Sequence, residues 1–564
     1  MDKNQATYLP HLQDSIPEEA FGYTVSMYSV ALEGWRRGLT LKFINNNRKK
    51  AHINYKLSYK GKEHRFTVAR GDAVPKSAIK ICVDKDLTKE YLQKAGVSTP
   101  KGKAFTEKTN DEEIVNYANE LGYPLVIKPT DGTGGSGVIA NIENEKEFSK
   151  ALSYVKYDLG YSNVIVEKYI PGDDCRLHVI DGKVIAAFKK LPANVIGDGK
   201  HSIKYLIKEK NKIRTKSPAL RTRPIKIDKE THNLLQAKGY HLNSIPKKGE
   251  QVFLKTKNNV SAGGDSIDIT DELTDEIKQV AIDASHAIPG LVQCGVDMMV
   301  DSTQNKGYVI EVNSRPHITA HLFPIKGQAR DVPKAVIDYY FPETKQIDTR
   351  KKPYFYFDFK SVYEAFQNNF CKEFTIPKAP QGDMVATRFI ITGVLQGVNY
   401  EQWIRNHAKR LHLHGYIKHL KNGKTSVVVS GSVDSVDQFR KIIKNEAPRR
   451  AKILKVVEKS RKRPVKVGFE VIKSDIAQPN TIKKDGYYPV RLVEVPAKKK
   501  NKTNKNQYVT KKEARAIIKE YKTLKKEKEF YQKKYNEIKN SNTWRATQPI
   551  RQIGKVFKGS EKNN

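Results

Sequence analysis

Three groups of residues near the middle of this 564-residue chain have the types and spacing for phosphoryl chemistry. The first is the loop Asp131-Gly132-Thr133-Gly134-Gly135-Ser136-Gly137. Its glycines let backbone N–H groups close on a phosphate, and its hydroxyls add hydrogen bonds. It lies between two predicted strands and lacks a terminal G-K-[ST], so it is not a P-loop. In the second group, Lys128 ends the strand before that loop and Lys89 opens the preceding predicted helix, so both can neutralise phosphates. Glu167 enters a Pro-Gly turn whose backbone suits an adenine edge, and Asp174 beyond it suits ribose hydroxyls. The third group is Asp297, Glu311 and Asn313. Glu311 and Asn313 are two apart on a strand and share a face. Two carboxylates and an amide oxygen suit Mg²⁺ bridged to phosphates. Arg315 follows, with a fork that fits a phosphoryl or carboxylate group. Taken singly, the glycine loop reads more readily as a turn and each charge as a solvated side chain, and the third group has the polar face of a hairpin as its alternative. The strand YVIEVN is too apolar for solvent, however, so its acid needs compensation.

These residues need a scaffold, and the hydrophobic periodicity supplies one. Residues 1–20 read as a disordered lead. Residues 26–38 read as a short amphipathic helix, followed by three strands in a small α+β unit, 21–85. From residue 86 to 342 the pattern is mixed α/β. It includes a hairpin turning at Asp181-Gly182, a helix capped by Thr270 with apolar Ile277, Ala281, Ala284 and Ile288, and the strand pair GVDMMVD and GYVIEVN. Residues 343–383 read as a linker with one short helix. Residues 384–475 alternate β-α-β-β-α-β, the split βαβ motif. A basic linker, 476–508, precedes a basic helical or coiled-coil tail, 509–564.

The chain has 102 Lys+Arg against 62 Asp+Glu, a net charge of +40. Residues 476–564 hold 24 Lys+Arg and 8 Asp+Glu, or +16, which points to an anionic partner or to a solvated tail. No apolar run is long enough for a spanning helix. The start of the sequence lacks a signal-peptide layout. The four cysteines (Cys82, Cys175, Cys294, Cys371) have no C-x-x-C spacing, which excludes a disulfide scaffold. The expectation is a cytoplasmic protein, peripheral at most to the inner face of the membrane.

Residues 86–342 resemble the ATP-grasp carboxylate–amine ligases, most closely the ATP-grasp parts of cyanophycin synthetase and bifunctional glutathione synthetase. The matching stretches run in family order: LTKEYLQKAGVSTPKG, LGYPLVIKPTDGTGGSGV, VIVEKYIPGDDCRLHVIDGKVIAA, NVIGDGKHSI, NNVSAGGDSIDITDE and IEVNSRPHITAHLFPIKG. The resemblance implies that Lys89, Lys128 and the loop 131–137 hold ATP phosphates. It implies that Glu167 and Ile170 line the adenine pocket, that Asp174 meets ribose, and that Asp297, Glu311 and Asn313 bind two Mg²⁺ ions, with Mn²⁺ as a substitute. Arg315, Ser261, Gly263 and Gly264 would receive an acyl phosphate, with Lys190 and Arg176 as weaker candidates. The implied reaction phosphorylates a carboxylate, and an amine then displaces phosphate. The resemblance carries over neither the acid nor the amine.

Residues 384–475 resemble acylphosphatase through TGVLQGVNYEQW, LHLHGYIKHLKNGKTSVVVSG and DQFRKIIKNEAP. The catalytic arginine position holds Glu401 and the water-orienting asparagine position holds His419. The fold is therefore expected without acyl-phosphate hydrolysis. The end of the chain, SNTWRATQPIRQIGKVFKG, is similar to tails of envelope polysaccharide glycosyltransferases. Trp544, Ile550, Ile553 and Phe557, interleaved with basic residues, suit an anionic membrane surface or, equally, a helix that docks on its own protein or a partner. Together these features predict an α/β and α+β multidomain ligase. It has an ATP-grasp fold, a ferredoxin-like acylphosphatase-like domain and a basic tail that serves an envelope or surface polymer. The rival readings are an acylphosphatase-type hydrolase and a non-catalytic polymer-binding scaffold. A homo-oligomer is compatible with the sequence, and nucleic acid is the weakest partner because no RNP1-like aromatic pattern occurs.

Overall fold

A computed structural model of the chain describes residues 6–45, 53–130 and 137–472. The basic linker and tail, and residues 131–136 of the glycine loop, lie outside the described residues.

Helix α1 (Val25–Arg36) is buried at every position. It was expected to be amphipathic because it carries Glu33, Arg36 and Arg37, but those charges are satisfied internally. Arg37 pairs with Glu33 at 2.8 Å and Asp338 at 2.7 Å, Arg350 also reaches Glu33 at 2.8 Å, and Arg36 donates to the Phe355 and His11 carbonyls. Buried charges survive only when paired in this way. Helix α1 covers an antiparallel sheet of β1 (Thr40–Asn45), β2 (Ile53–Tyr59) and β3 (Lys62–Thr67). The segment expected as a linker completes this domain. Its strand Glu373–Thr375 pairs with β1, its helix Phe359–Gln367 buries Phe359, Val362 and Phe366, and Trp35 Nε1 donates to the Pro377 carbonyl at 2.7 Å. Residues 6–20 are not a disordered lead either. Leu12 and Ile16 enter the same core, and Tyr28 donates to the Ser15 carbonyl.

After α2 (Lys85–Lys94, capped by Asp84) come two sheets. The first contains β4 (Gly102–Phe105), β5 (Leu125–Pro129), β6 (Ile139–Ile142) and β7 (Val164–Lys168) in the order β4-β7-β5-β6. Helices α3 (Asp111–Leu121) and α4 (Glu145–Ser153) pack Ile114, Ala118, Phe148 and Leu152 into its core. The second contains β8 (Asp173–Ile180), β9 (Lys183–Leu191), β10 (Asp265–Asp268), β11 (Gln293–Asp301) and β12 (Lys306–Asn313) in the order β10-β9-β8-β11-β12. The expected turn at Asp181-Gly182 joins β8 to β9, both residues having positive φ. The expected β11–β12 hairpin sets Asp297 opposite Glu311.

Helix α5 (Asp275–His286) buries Ile277, Ala281 and Ala284. Its cap is Thr274, whose side chain accepts the Ile277 N–H, rather than Thr270. Thr270 instead ties its hydroxyl to the Ala187 N–H on β9. Residues 193–262 form a satellite with its own small core of Val195, Ile203, Ile207, Leu235 and Val252. Helix α6 (Val332–Tyr340) returns the chain to the N-terminal core.

The last described unit has the expected β-α-β-β-α-β order, formed by β13 (Met384–Val394), α7 (Tyr400–Arg410), β14 (His414–His419), β15 (Thr425–Ser432), α8 (Val433–Asn445) and β16 (Lys452–Ser460). A further strand, β17 (Phe469–Ile472), runs parallel to β14, so the sheet order is β16-β13-β15-β14-β17. Among the described residues no helix is long and apolar enough to cross a membrane.

Candidate functional site

The two sheets and α2 enclose a cavity lined by Lys89, Lys128, Glu167 and Glu311, with Cys82, Asp86, Thr88 and Ile165 among its other walls. Residues predicted from four separate stretches thus meet here. Alternation along β5 aims Leu125 and Ile127 into the core and leaves Lys128 half-buried. Lys89 Nζ lies 2.7 Å from Glu167 Oε1, and Lys128 Nζ lies 2.6 Å from Glu167 Oε2. Burial would raise the Glu167 carboxyl, but Lys128 and Lys89 outweigh it and hold its pKa below the ordinary value. The triad carries a net positive charge, so it is poised to take an anion without importing a cation. The Glu167 side chain faces the lysines. Ile170, half-buried in the β7–β8 turn, is not among the cavity walls. Of the glycine loop, the described Gly137 has a φ of +71°.

On the adjoining sheet, Asp297 is buried and fully engaged. Arg176 donates to both of its oxygens at 2.8 and 2.5 Å, Lys190 reaches it at 2.8 Å, and Asn313 Nδ2 donates at 3.1 Å. Burial would raise its pKa, but Arg176 and Lys190 drive it well below the usual carboxylate range. Lys190 also holds Asp174 at 2.7 Å, although burial still raises Asp174. Arg176 and Lys190, the weaker candidates from sequence, are therefore the charges that organise this cluster.

The donor set fits a divalent cation unevenly. Glu311 makes no hydrogen bond or ion pair among the described residues and lines the cavity beside two lysines, so its carboxylate is free. Asn313 spends its N–H on Asp297 and keeps its amide oxygen. An Asp297 oxygen is open to a cation only where Arg176, Lys190 or Asn313 withdraws its N–H donor. Among the described residues no group of three or more His, Cys, Asp or Glu side chains is gathered for a metal.

The SAGG loop begins as a 3₁₀ turn, Val260–Ala262, capped by the Asn259 side chain. Gly263 sits at φ +97°, and a Cβ on Gly264 would fall 2.5 Å from the Leu191 carbonyl oxygen, so this backbone requires both glycines. Ser261 is exposed and accepts from the Tyr23 hydroxyl at 3.3 Å. Arg315 is exposed beyond β12. Four neighbours were absent from the sequence reading: Tyr23, Arg70, Arg223 and His317. Arg223 lies over the Tyr23 ring at 4.4 Å, the Tyr23 and His317 rings meet edge-on at 5.2 Å, and Arg70 donates to Ser314 at 3.2 Å. Only His317, two residues after Arg315, offered a signal by adjacency.

In the C-terminal unit, the loop Gln396–Tyr400 enters α7 through Asn399 in the left-handed region. His419 bridges two groups. Its Nε2 is 2.5 Å from Glu401 Oε1 and its Nδ1 is 2.8 Å from Thr425 Oγ1. The two exchanged positions therefore satisfy each other.

Comparison with known proteins matches three segments of the chain to domain families. The description "Carbamoyl-phosphate synthase L chain, ATP binding domain" matches residues 84–211, "ATP-grasp domain" matches 234–319 and "Acylphosphatase" matches 387–471. Cyanophycin synthetase of Trichormus variabilis is 33% identical over 310 residues, covering 52% of this chain and 33% of its own. The glutathione biosynthesis bifunctional protein GshAB of Pasteurella multocida is 34% identical over 275 residues, covering 47% and 36%. The crystal structure of the bifunctional glutathione synthetase from the same organism aligns with a TM-score of 0.42 at 31% identity, over 51% of this chain and 41% of that one. The chain thus spans about a third of the length of the curated relatives it matches. The lysine cavity and the Asp297 cluster belong to ATP-grasp domains followed by an acylphosphatase domain, in a chain homologous to cyanophycin synthetase and bifunctional glutathione synthetase.

Proposed function

We propose that the chain is an ATP- and Mg²⁺-dependent carboxylate–amine ligase that forms an amide or peptide-like bond through an acyl phosphate. The observation that carries this reading is the convergence of Lys89, Lys128 and the uncommitted Glu311 on one cavity. Phosphoryl transfer needs position and positive charge more than a protein nucleophile. Lys89 and Lys128 would exchange Glu167 for phosphate oxygens, and residues 131–137 would close over them. Glu311 and Asn313, with Asp297 once released, would hold two Mg²⁺ ions or Mn²⁺, which neutralise charge on the transferring group. Arg315, Ser261 and the Gly263-Gly264 backbone would receive the acyl phosphate. The basic tail supports service to an anionic envelope or surface polymer.

Hydroxylamine in place of the amine tests this directly. Purified protein with MgATP, hydroxylamine and a panel of carboxylic acids should yield a hydroxamate with matching ADP, and Glu311→Gln should lose it by about 100-fold or more. ATP hydrolysis without any hydroxamate across amino, uronic and polymeric acids would sink the ligase reading.

The acylphosphatase-like domain is assigned no hydrolysis, because Glu401 both repels phosphate and fixes His419. The full chain should leave benzoyl phosphate at its spontaneous rate. A faster rate that falls on substituting Asn399 would show instead that the loop Gln396–Tyr400 still holds a phosphate for hydrolysis.

A further inference from the structure

Several guanidinium groups of this protein meet no carboxylate, Arg36 among them, which is held instead by carbonyl oxygens. Arg37, Arg176, Arg214, Arg330 and Arg350 each pair with a carboxylate. Among the described residues none pairs with Arg70, Arg223 or Arg315. Arg223 is the sharpest case. It is only 7% exposed, and its buried Nε has no hydrogen-bond partner. Its neighbours are the Tyr23 ring and hydroxyl. The buried Nδ1 of His317 is also without a partner. Burial and the nearby Arg223, Arg176 and Arg315 push the His317 pKa down to about 4, so it stays neutral and able to donate one hydrogen bond. A buried cation without a counter-charge is costly, and so is a buried unpaired donor.

The chain holds this arrangement together from distant parts. Gly22, at φ +79°, packs so closely on Thr222 that a Cβ there would meet its hydroxyl at 2.8 Å. Its N–H donates to the Pro218 carbonyl, and Arg221 pairs with Glu18. Tyr23 is thereby fixed between Arg223, His317 and Ser261. The satellite that carries Arg223, residues 193–262, holds 16 Lys+Arg and 5 Asp+Glu, a net +11. With the +16 of residues 476–564, that makes +27 of the chain's +40.

We propose that Arg223 and Arg70, with Tyr23 and His317, form an anion-binding subsite for a negative group other than the carboxylate being activated, which is left to Arg315. The substrates are then multiply anionic acids, carrying a second carboxylate or a phosphate. This rests on the ligase reading for its function but not for its binding.

The test is thermal unfolding of the full chain with the nucleotide site filled by ADP and Mg²⁺, titrated with tricarballylate in one arm and inorganic pyrophosphate in the other. Either anion should raise the midpoint for the wild type, and the better one names the chemistry. Arg223→Met should weaken that anion's binding by about tenfold or more, and Arg223→Lys should recover part of it. Without anion, Arg223→Met should unfold no earlier than wild type, because it removes an uncompensated buried charge. The proposal is overturned if both anions shift Arg223→Met as they shift wild type, or if neither shifts wild type. It is also overturned if Arg223→Met unfolds earlier without anion, since the guanidinium is then structural. A missing response to ADP alone would count against the ligase reading and leave the anion result standing.

Discussion

Lys128→Met should lower ATP-dependent hydroxamate formation by about 100- to 1,000-fold, the loss typical of removing one preorganised charge from a transition state. Lys128 and Lys89 share one buried carboxylate. In the variant Glu167 keeps Lys89 and is not orphaned, so the fold should survive. The triad's net charge falls from +1 to zero, however, and a triphosphate would then enter beside Glu167 and Glu311 with one cation fewer. The loss should fall mainly on turnover, because positive charge matters most where charge develops on the transferring group. Lys128→Arg should restore charge without restoring position and recover only part of the rate. Hydroxamate yield and ADP release, measured together, check this. A variant that still works at the wild-type rate would remove Lys128 from the phosphate path.

Replacing His178 and His321 together by leucine or phenylalanine should make the sheet that contains β8 markedly less acid-sensitive. The two rings are fully buried and 5.8 Å apart, and none of their four nitrogens has a partner. Burial, with Arg176 nearby, lowers His178 to about 3. Burial, His178 and Arg176 push His321 well below its ordinary value. Above the unfolded pKa of about 6.5 both states are neutral and the pair contributes no pH dependence. As pH falls below that, the unfolded chain binds protons that the folded chain refuses. Stability therefore drops by about 1.4 kcal/mol per pH unit for each histidine, down to about pH 3 for His178. The double variant removes that slope and also removes buried polar atoms, so it should gain stability even at pH 7. Leucine guards against overpacking by the larger ring. Hydrogen exchange at β8 amides at pH 5 and pH 7 reads the local opening free energy. An unchanged difference between the two pH values would mean that the pair is hydrated or charged.

The elements and charges that touch neighbours close in sequence were legible before the fold was known. The β11–β12 pairing follows from two apolar runs with a short connection, and it puts Asp297 opposite Glu311 without further assumption. Lys89, Lys128 and Glu167 were readable only as a set, because their stretches recur in a fixed order. Thr270 and Thr274 show how a local signal misleads. Both precede Asp-Glu four residues apart, so the same helical period accepts either cap, and only the bond from Ala187 to Thr270 decides. Helix α1 looked amphipathic because its charges pair with Asp338 and Arg350, some 300 residues away, which no local pattern contains. Arg223 was illegible for the same reason. A basic side chain in a basic stretch becomes informative only when it is buried with no acid beside it.

The closure of the N-terminal sheet by Glu373–Thr375 has a consequence for biosynthesis. A ribosome releases β1 through β3 long before the strand that flanks β1 and the phenylalanines of residues 355–366 that fill its core. At about 5–20 residues per second, the roughly 300 intervening residues take on the order of 15–60 s to appear. During that interval the nascent sheet has an open edge and an apolar face that α1 covers without the later phenylalanines, while the ATP-grasp sheets, whose strands lie closer together in sequence, can already close. The first part of this chain to be made is therefore among the last to finish folding, and a chaperone that shields strand edges would act on it there.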